Sequence, residues 1–355
     1  MSTNYDKHFD DYNSKLNDIC VFLDKEYPIL INNIHSIANI VNKSLISFSD
    51  VDFNTIYLQN TITNMEVFEL AKEVVSKINP EFENDFERIV SNGELDFINT
   101  EDENEENKID LLVGTNFSYY SNSGAKLINV VKEYNYSDVV NLVHEFFHYE
   151  NYDNDNDTRS FFTEFFSIYY EQFTIDYLIE NKKVDTLEMD VNYRERNFVS
   201  ICEYLSFFSI PLICYNNFGN ISEDSYEKII NSGKARLTEE VYNYYVDECY
   251  SIISENNLTS SENLLECNIA LPYKYLIDTL AAFYAKNNCD KNKILDLYKN
   301  IGNFKNISII DYSDIFKTLG IDIFSKDFFN KAIEEMYETM KRNKRGEKKC
   351  LKLVE

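Results

Sequence analysis

The sequence has few of the residues that interrupt helices. It contains no Trp, only 8 Gly and only 4 Pro among 355 residues. Because Gly and Pro are the strongest breakers of regular structure, their scarcity favours helices. Phe and Tyr supply all the aromatic residues, and 44% of the chain is hydrophobic, which is the composition of a folded protein. We therefore expect a mainly helical protein that is long enough to bury a substantial core.

Basic residues and long hydrophobic runs are scarce too. The chain has 34 Lys and Arg against 61 Asp and Glu, a net charge of −27. Because phosphate and anionic lipid binding both need clustered positive charge, we expect neither nucleic acid nor a membrane as a partner. The longest apolar run, residues 207–214, is too short to span a bilayer. The polar, acidic residues 1–14 do not resemble a signal peptide.

Cysteine usage indicates a reducing compartment. The seven cysteines are odd in number and scattered, and no two of them form a C-x-x-C pair. Such a pattern is typical of free thiols rather than of a disulfide framework. We expect a cytoplasmic protein, and a monomer.

The charge-rich run at residues 100–108 predicts an exposed loop and a boundary. It separates an N-terminal helical region, residues 1–108, from a second region, residues 109–355. In the first region, apolar residues recur at helical spacing over 11–48 and 64–79, where Pro80 ends the pattern.

The second region begins with strand character and then becomes helical. Residues 109–131 favour strands, and Lys126 to Val131 predicts a strand that leads into the next helix. From Ser137 the pattern is helical almost to the end. The polar run at 151–157 interrupts it and is predicted to be a solvated loop, since it lacks the Gly and Glu of a calcium-binding loop.

The chemistry of this chain centres on its histidines. It has only four, and two of them lie in the segment His144-Glu145-Phe146-Phe147-His148. Ser137 and Asp138 are predicted to cap a helix that carries this segment. A spacing of four residues places both imidazoles on one helix face, where they can bind one metal ion. Zinc suits imidazole and carboxylate ligands, and Glu145 is the predicted general base and acid that acts on a zinc-activated water.

Zinc needs a third protein ligand, and Glu164 is the best candidate. Residues 158–180 predict a second helix, capped by Thr158 or Ser160. Glu164 and Glu171 form a polar stripe with Ser167 on this otherwise aromatic helix. Because burying an unpaired carboxylate is costly, zinc explains Glu164, and Glu171 could orient a histidine. A solvated face remains the alternative for both glutamates.

Several segments resemble the thimet oligopeptidase and oligoendopeptidase F family of zinc peptidases. Residues 121–148 (SNSGAKLINVVKEYNYSDVVNLVHEFFH) resemble its strand, turn and zinc helix, and residues 163–171 (TEFFSIYYE) resemble its E-x-x-S-x-x-x-E helix. Residues 271–275 (LPYKY) are similar to its tyrosine-rich loop, and segments at 319–322 and 328–333 to its closing helix. The resemblance implies a zincin-like helical metallopeptidase with a small sheet beside the zinc helix.

The resemblance also implies residue roles. Glu164 would be the third ligand of one Zn²⁺ per chain, Tyr273 and Tyr275 would stabilise the oxyanion, and short peptides would be the substrates. The chain departs from the family at Phe147, where Gly is usual, and in the short interval between His148 and Glu164. It also has no histidine after His148, so the family's transition-state histidine is missing.

Three alternatives stay open at this stage. The missing histidine favours a non-catalytic descendant that binds zinc and peptide without cleavage. A helical interaction protein with an accidental motif would bind no zinc. A zincin with specific protein targets, such as a toxin-like protease, is disfavoured by the absence of an export signal.

Overall fold

The computed structural model describes residues 61–98, 117–120, 126–151, 162–181, 271–301, 309–325 and 327–332, together with a few single positions. The chain divides into two compact units. The first comprises Met1–Asn54, Glu195–Leu280 and Gly320–Thr339, and the second comprises Thr55–Arg194, Ala281–Leu319 and Met340–Glu355. The predicted boundary at residues 108 and 109 and the predicted helix at 11–48 lie outside the described residues.

The described part of the chain is mainly helical with one small sheet, as the sequence predicts. The elements are α1 (Asn64–Ile78), α2 (Pro80–Ser91), β1 (Leu95–Ile98), β2 (Phe117–Tyr120), β3 (Lys126–Val131), α3 (Ser137–Asn151), α4 (Thr163–Glu180), α5 (Leu271–Asn288), α6 (Lys291–Asn300) and α7 (Ile309–Thr318). None of these helices combines the length and the apolar character that a membrane span requires.

The sheet has β3 at its centre. β1 pairs with β3 in parallel, with Leu95 opposite Ile128, and β2 pairs with it antiparallel, with Phe117 opposite Asn129. β3 has the predicted bounds, and its buried Ile128 and Val130 join the core. The sheet therefore lies directly before α3 in the chain and fixes where that helix begins.

Helices α1 and α2 form a hairpin that leads into the sheet. Thr63 and Glu66 form a capping box at the start of α1, and Pro80 occupies the first turn of α2, where its missing N–H costs nothing. α2 ends at Ser91, and two residues further on Gly93 has a φ of 70°, a left-handed conformation that glycine adopts without strain. This turn directs the chain into β1.

The turn between β3 and α3 is held by a buried carboxylate. Asp138 accepts hydrogen bonds from the backbone N–H groups of Glu133 at 2.8 Å and Tyr134 at 3.0 Å. Tyr134 has a φ of 60°, unusual for a residue other than glycine. Burial raises the pKa of Asp138 to about 6, although both hydrogen bonds act in the opposite direction. Asp138 thus stabilises the turn before the helix, a role different from the predicted cap.

Helices α3 and α4 pack through aromatic side chains. Phe147 is fully buried and stacks on Tyr170 of α4, with ring centroids 4.1 Å apart. Phe82 of α2 and Tyr298 of α6 meet the edges of the Phe147 ring. Because interiors are close-packed, this cluster fixes the separation of the two helices that carry the predicted zinc ligands.

Candidate metal centre

The predicted ligands come from facing positions on α3 and α4. His144 and His148 project from α3 toward Glu164 and Glu171 of α4. The described helix α4 begins at Thr163, after Phe162, whose side chain makes no capping hydrogen bond, and the predicted caps Thr158 and Ser160 lie outside the described residues. Glu164 therefore lies in the first turn of α4, with Glu171 two turns further along.

Three side chains converge on one point. The Nε2 atoms of His144 and His148 are 2.7 Å apart. The Glu164 carboxylate lies 3.6 Å from the first of these nitrogens through Oε2 and 3.4 Å from the second through Oε1. The sequence predicted this set, and the structure brings its three members together.

These distances fit a zinc ion. Bonds of about 2.0 Å at tetrahedral angles place neighbouring ligand atoms about 3.3 Å apart. The two distances from Glu164 to the nitrogens are close to that edge length. The 2.7 Å between the nitrogens is a hydrogen-bond distance and is about 0.6 Å shorter than the edge. The two nitrogens would therefore have to move apart by about 0.6 Å for His144, His148 and Glu164 to hold the ion.

Glu171 holds the other side of the His144 ring. Its Oε1 lies 2.7 Å from Nδ1 of His144, and the carboxylate is only 2% exposed. Burial by itself would lower the pKa of His144, but the Glu171 carboxylate, followed by Glu164 and Glu145, raises this pKa to about 9. His144 consequently donates from both nitrogens, to Glu171 and to His148. The predicted orienting role of Glu171 matches this geometry.

His148 has the opposite electrostatic environment. Burial, and then the positive charge on His144, lower the pKa of His148 well below its usual value. Its neutral ring accepts the proton of His144 at Nε2 and carries its own proton on Nδ1. That Nδ1 is buried and has no hydrogen-bond partner among the described residues. A hydrogen bond between the two histidines thus occupies the point where a metal would bind.

Glu145 lies beside the histidines and is nearly buried, at 4% exposure. Oxygen and nitrogen atoms of His144, Glu145 and His148 all lie within 4.8 Å of one another. Glu145 follows His144 directly on α3, so its carboxylate can reach the ion or a water next to it. This position suits a general base.

The two residues predicted to donate hydrogen bonds to the oxyanion, Tyr273 and Tyr275, lie on neither α3 nor α4. Tyr273 and Tyr275 are in the first turn of α5, a helix where the resemblance implied a loop, and they belong to the first compact unit. The Tyr273 side chain lies outside the described residues, and Tyr275 is half-buried. The histidine and glutamate cluster lies in the second unit. The roles of both tyrosines stay predictions.

Sequence reasoning missed one hydrogen bond next to the centre. The hydroxyl of Tyr149, the residue after His148, donates to Glu94 at 2.6 Å. The two residues are 55 positions apart, in segments that were assigned to different regions. Because no local pattern in the sequence pairs them, only the fold reveals the contact.

Comparisons with known proteins identify the fold. No protein-family model and no curated protein sequence matches the chain. Among solved structures, one described as an oligoendopeptidase F has a TM-score of 0.60 at 10% identity, over 89% of this chain and 58% of that one. A protein of Chlamydophila abortus described as a peptidase has a TM-score of 0.53 at 16% identity, over 88% and 55%. PZ peptidase A, solved with an inhibitor, has a TM-score of 0.51 at 11% identity, over 88% and 57%.

The similarity confirms the predicted fold class, a helical protein with a small sheet beside the motif helix. At identities of 10% to 16% it concerns the fold alone. The chain spans little more than half the length of these structures, at 55% to 58%. Function must therefore be argued from the site.

Proposed function

We propose that this chain is a zinc-dependent peptidase of the oligoendopeptidase type, which hydrolyses peptide bonds in short peptides. The observation that carries the proposal is the convergence of His144, His148 and Glu164 beside the buried Glu145. The fold supports it, since the similar solved structures are described as peptidases.

His144, His148 and Glu164 would hold one zinc ion per chain. When bound, zinc supplies a Lewis acid that polarises a carbonyl and lowers the pKa of water toward neutrality. The protein itself orients the ligands and supplies the group that transfers protons. Glu171 keeps the proton on Nδ1 of His144, so that Nε2 faces the ion.

Glu145 would transfer a proton from the attacking water to the leaving amine. Its carboxylate would accept a proton from the attacking water and donate it to the amine that leaves when the peptide bond breaks. Near-complete burial of Glu145 restricts bulk water from competing for this proton. Tyr273 and Tyr275 are the candidate donors of hydrogen bonds to the developing oxyanion, and loss of such a donor costs roughly a hundredfold to a thousandfold in rate.

Replacement of Glu145 by Gln tests the mechanism. Gln keeps the shape of the side chain but has no basic carboxylate, so Glu145→Gln should bind one equivalent of zinc while peptide hydrolysis is lost. The measurement combines metal content with cleavage of a peptide mixture, read by mass spectrometry. Unchanged turnover in this variant would rule out the proposed role of Glu145.

The missing histidine favours a second candidate, a protein that binds zinc and peptides without cleaving them. The sequence has no histidine after His148 to assist the tyrosines at the oxyanion. This candidate predicts that the wild-type chain takes up zinc and binds peptides, yet releases no fragments even at high protein concentration. Zinc-dependent fragments that Glu145→Gln does not produce would exclude it.

A further inference from the structure

Tyr149 occupies the last turn of α3, directly after His148. It is buried, and its hydroxyl donates to Oε2 of Glu94 at 2.6 Å. Burial and the Glu94 carboxylate raise the pKa of Tyr149, and Arg88 also forms a hydrogen bond with this side chain. The bond of Tyr149 to a carboxylate belongs to the strong, charge-assisted kind.

Glu94 is a rigid acceptor because its backbone is fixed on both sides. Its N–H donates to the carbonyl of Ile89 at 2.9 Å, and the N–H of Gly93 donates to Val90 at 3.0 Å. These two bonds form the Schellman motif that ends α2. The carbonyl of Glu94 accepts from the N–H of Ile128 in β3 at 2.8 Å. The Glu94 carboxylate thus ties the end of α3 to the junction between α2 and the sheet.

The hydrogen bond between Tyr149 and Glu94 lies next to His148, the histidine whose ring is not held through Nδ1. Glu171 fixes the ring of His144 through Nδ1, whereas Nδ1 of His148 has no partner among the described residues. The position of His148 then depends on the backbone of the last turn of α3 and on its packing. Helix ends fray unless they are held, and a small displacement of a ligand weakens a metal site.

We propose that Tyr149, through its hydrogen bond to Glu94, is a positioning residue that holds the last turn of α3 so that His148 faces Glu164. The inference rests on the proposed function, because it concerns the same zinc ligands. Tyr149 is not itself one of the proposed ligands. Its effect passes through the backbone that it shares with His148.

The chain offers a matched control. Tyr177 of α4 also forms a hydrogen bond with a glutamate, Glu73 of α1, more than three turns from Glu164. Replacement of either tyrosine by Phe removes one hydroxyl from a Tyr–Glu pair between helical segments. Both variants should lower the urea midpoint of the zinc-free chain by a similar amount. Only Tyr149→Phe should change the zinc site.

The test is a zinc titration against a chelator of known affinity, on the full chain. Tyr149→Phe should weaken zinc binding about tenfold, at the low end of the range for residues that orient ligands, and Tyr177→Phe by less than twofold. The absorption bands of the cobalt-substituted protein report ligand geometry. They should be shifted in Tyr149→Phe and unchanged in Tyr177→Phe. Glu94→Gln, which keeps an acceptor oxygen but not the charge, should lie between wild type and Tyr149→Phe.

Two results would overturn the inference alone: wild-type zinc affinity in Tyr149→Phe, or equal weakening in Tyr177→Phe. If Tyr149→Phe does not fold, the isosteric Glu94→Gln decides the question, and wild-type affinity in that variant counts against the inference. Failure of the wild-type chain to bind zinc would overturn the proposed function, and this inference with it.

Discussion

Replacement of Glu171 by Gln probes the electrostatics of the centre. The Glu171 carboxylate is buried and lies 2.7 Å from Nδ1 of His144. Gln can still accept this hydrogen bond, but it lacks the charge that makes the imidazole a better ligand. Loss of such a partner weakens metal binding by roughly 10- to 100-fold, or about 1.4 to 2.7 kcal/mol.

The loss of zinc affinity in Glu171→Gln should be larger at pH 9 than at pH 7. With a pKa of about 9, only about one hundredth of His144 is neutral at pH 7, so a proton competes with zinc for Nε2. Glu171→Gln removes the charge that raises this pKa, and therefore also reduces the competition. The two effects oppose each other at pH 7. At pH 9 about half of His144 is neutral, so the competition costs the wild type only about a factor of two and most of the intrinsic loss should appear.

The assay is a chelator competition titration of wild type and Glu171→Gln at pH 7 and pH 9. The ratio of their zinc dissociation constants should rise between the two pH values and reach roughly 10 to 100 at pH 9. Asp176→Asn is the control, since it removes a negative charge from the same helix at a part-buried ion pair with Lys286. A ratio near one at pH 9, or an equal effect of Asp176→Asn, would refute this account of Glu171.

Two further predictions concern wild-type affinity and the core. Zinc affinity of the wild-type chain should rise about tenfold from pH 7 to pH 8 and about fivefold from pH 8 to pH 9, because binding releases the proton that His144 carries up to a pKa of about 9. A pH-independent dissociation constant would contradict this. Phe147→Gly should lower the free energy of unfolding in guanidinium chloride by about 3–5 kcal/mol for the lost ring, plus about 1 kcal/mol for Gly inside a helix. Wild-type stability of that variant would show that the stack on Tyr170 contributes nothing.

Regular patterns in the sequence were sufficient to predict that His144, His148 and Glu164 lie close together. Strand-favouring residues located β3, and helical spacing put His144 and His148 on one face. The polar stripe of Glu164 and Glu171 stood out because the rest of that helix is aromatic. Each of these features is local, so its geometry follows from helix or strand periodicity.

What the sequence could not reveal depends on tertiary contacts. β1 is a four-residue strand whose place beside β3 is set by pairing across the chain. The sequence predicts Asp138 as a helix cap, yet Asp138 stabilises a turn that contains the left-handed Tyr134. The Tyr149–Glu94 bond joins residues that no periodic pattern relates. Phe147, which stands where the resembled family usually has Gly, is fully buried and stacks on Tyr170.

The most direct test of the central claim is a digest of a mixed peptide library by the full chain, with zinc and with excess chelator, read by mass spectrometry. Wild-type protein should release fragments of short peptides only when zinc is present, and Glu145→Gln should release none while it retains the metal. Fragments at equal rates in zinc and in chelator, or from Glu145→Gln as fast as from wild type, would contradict a zinc peptidase centred on His144, His148 and Glu164.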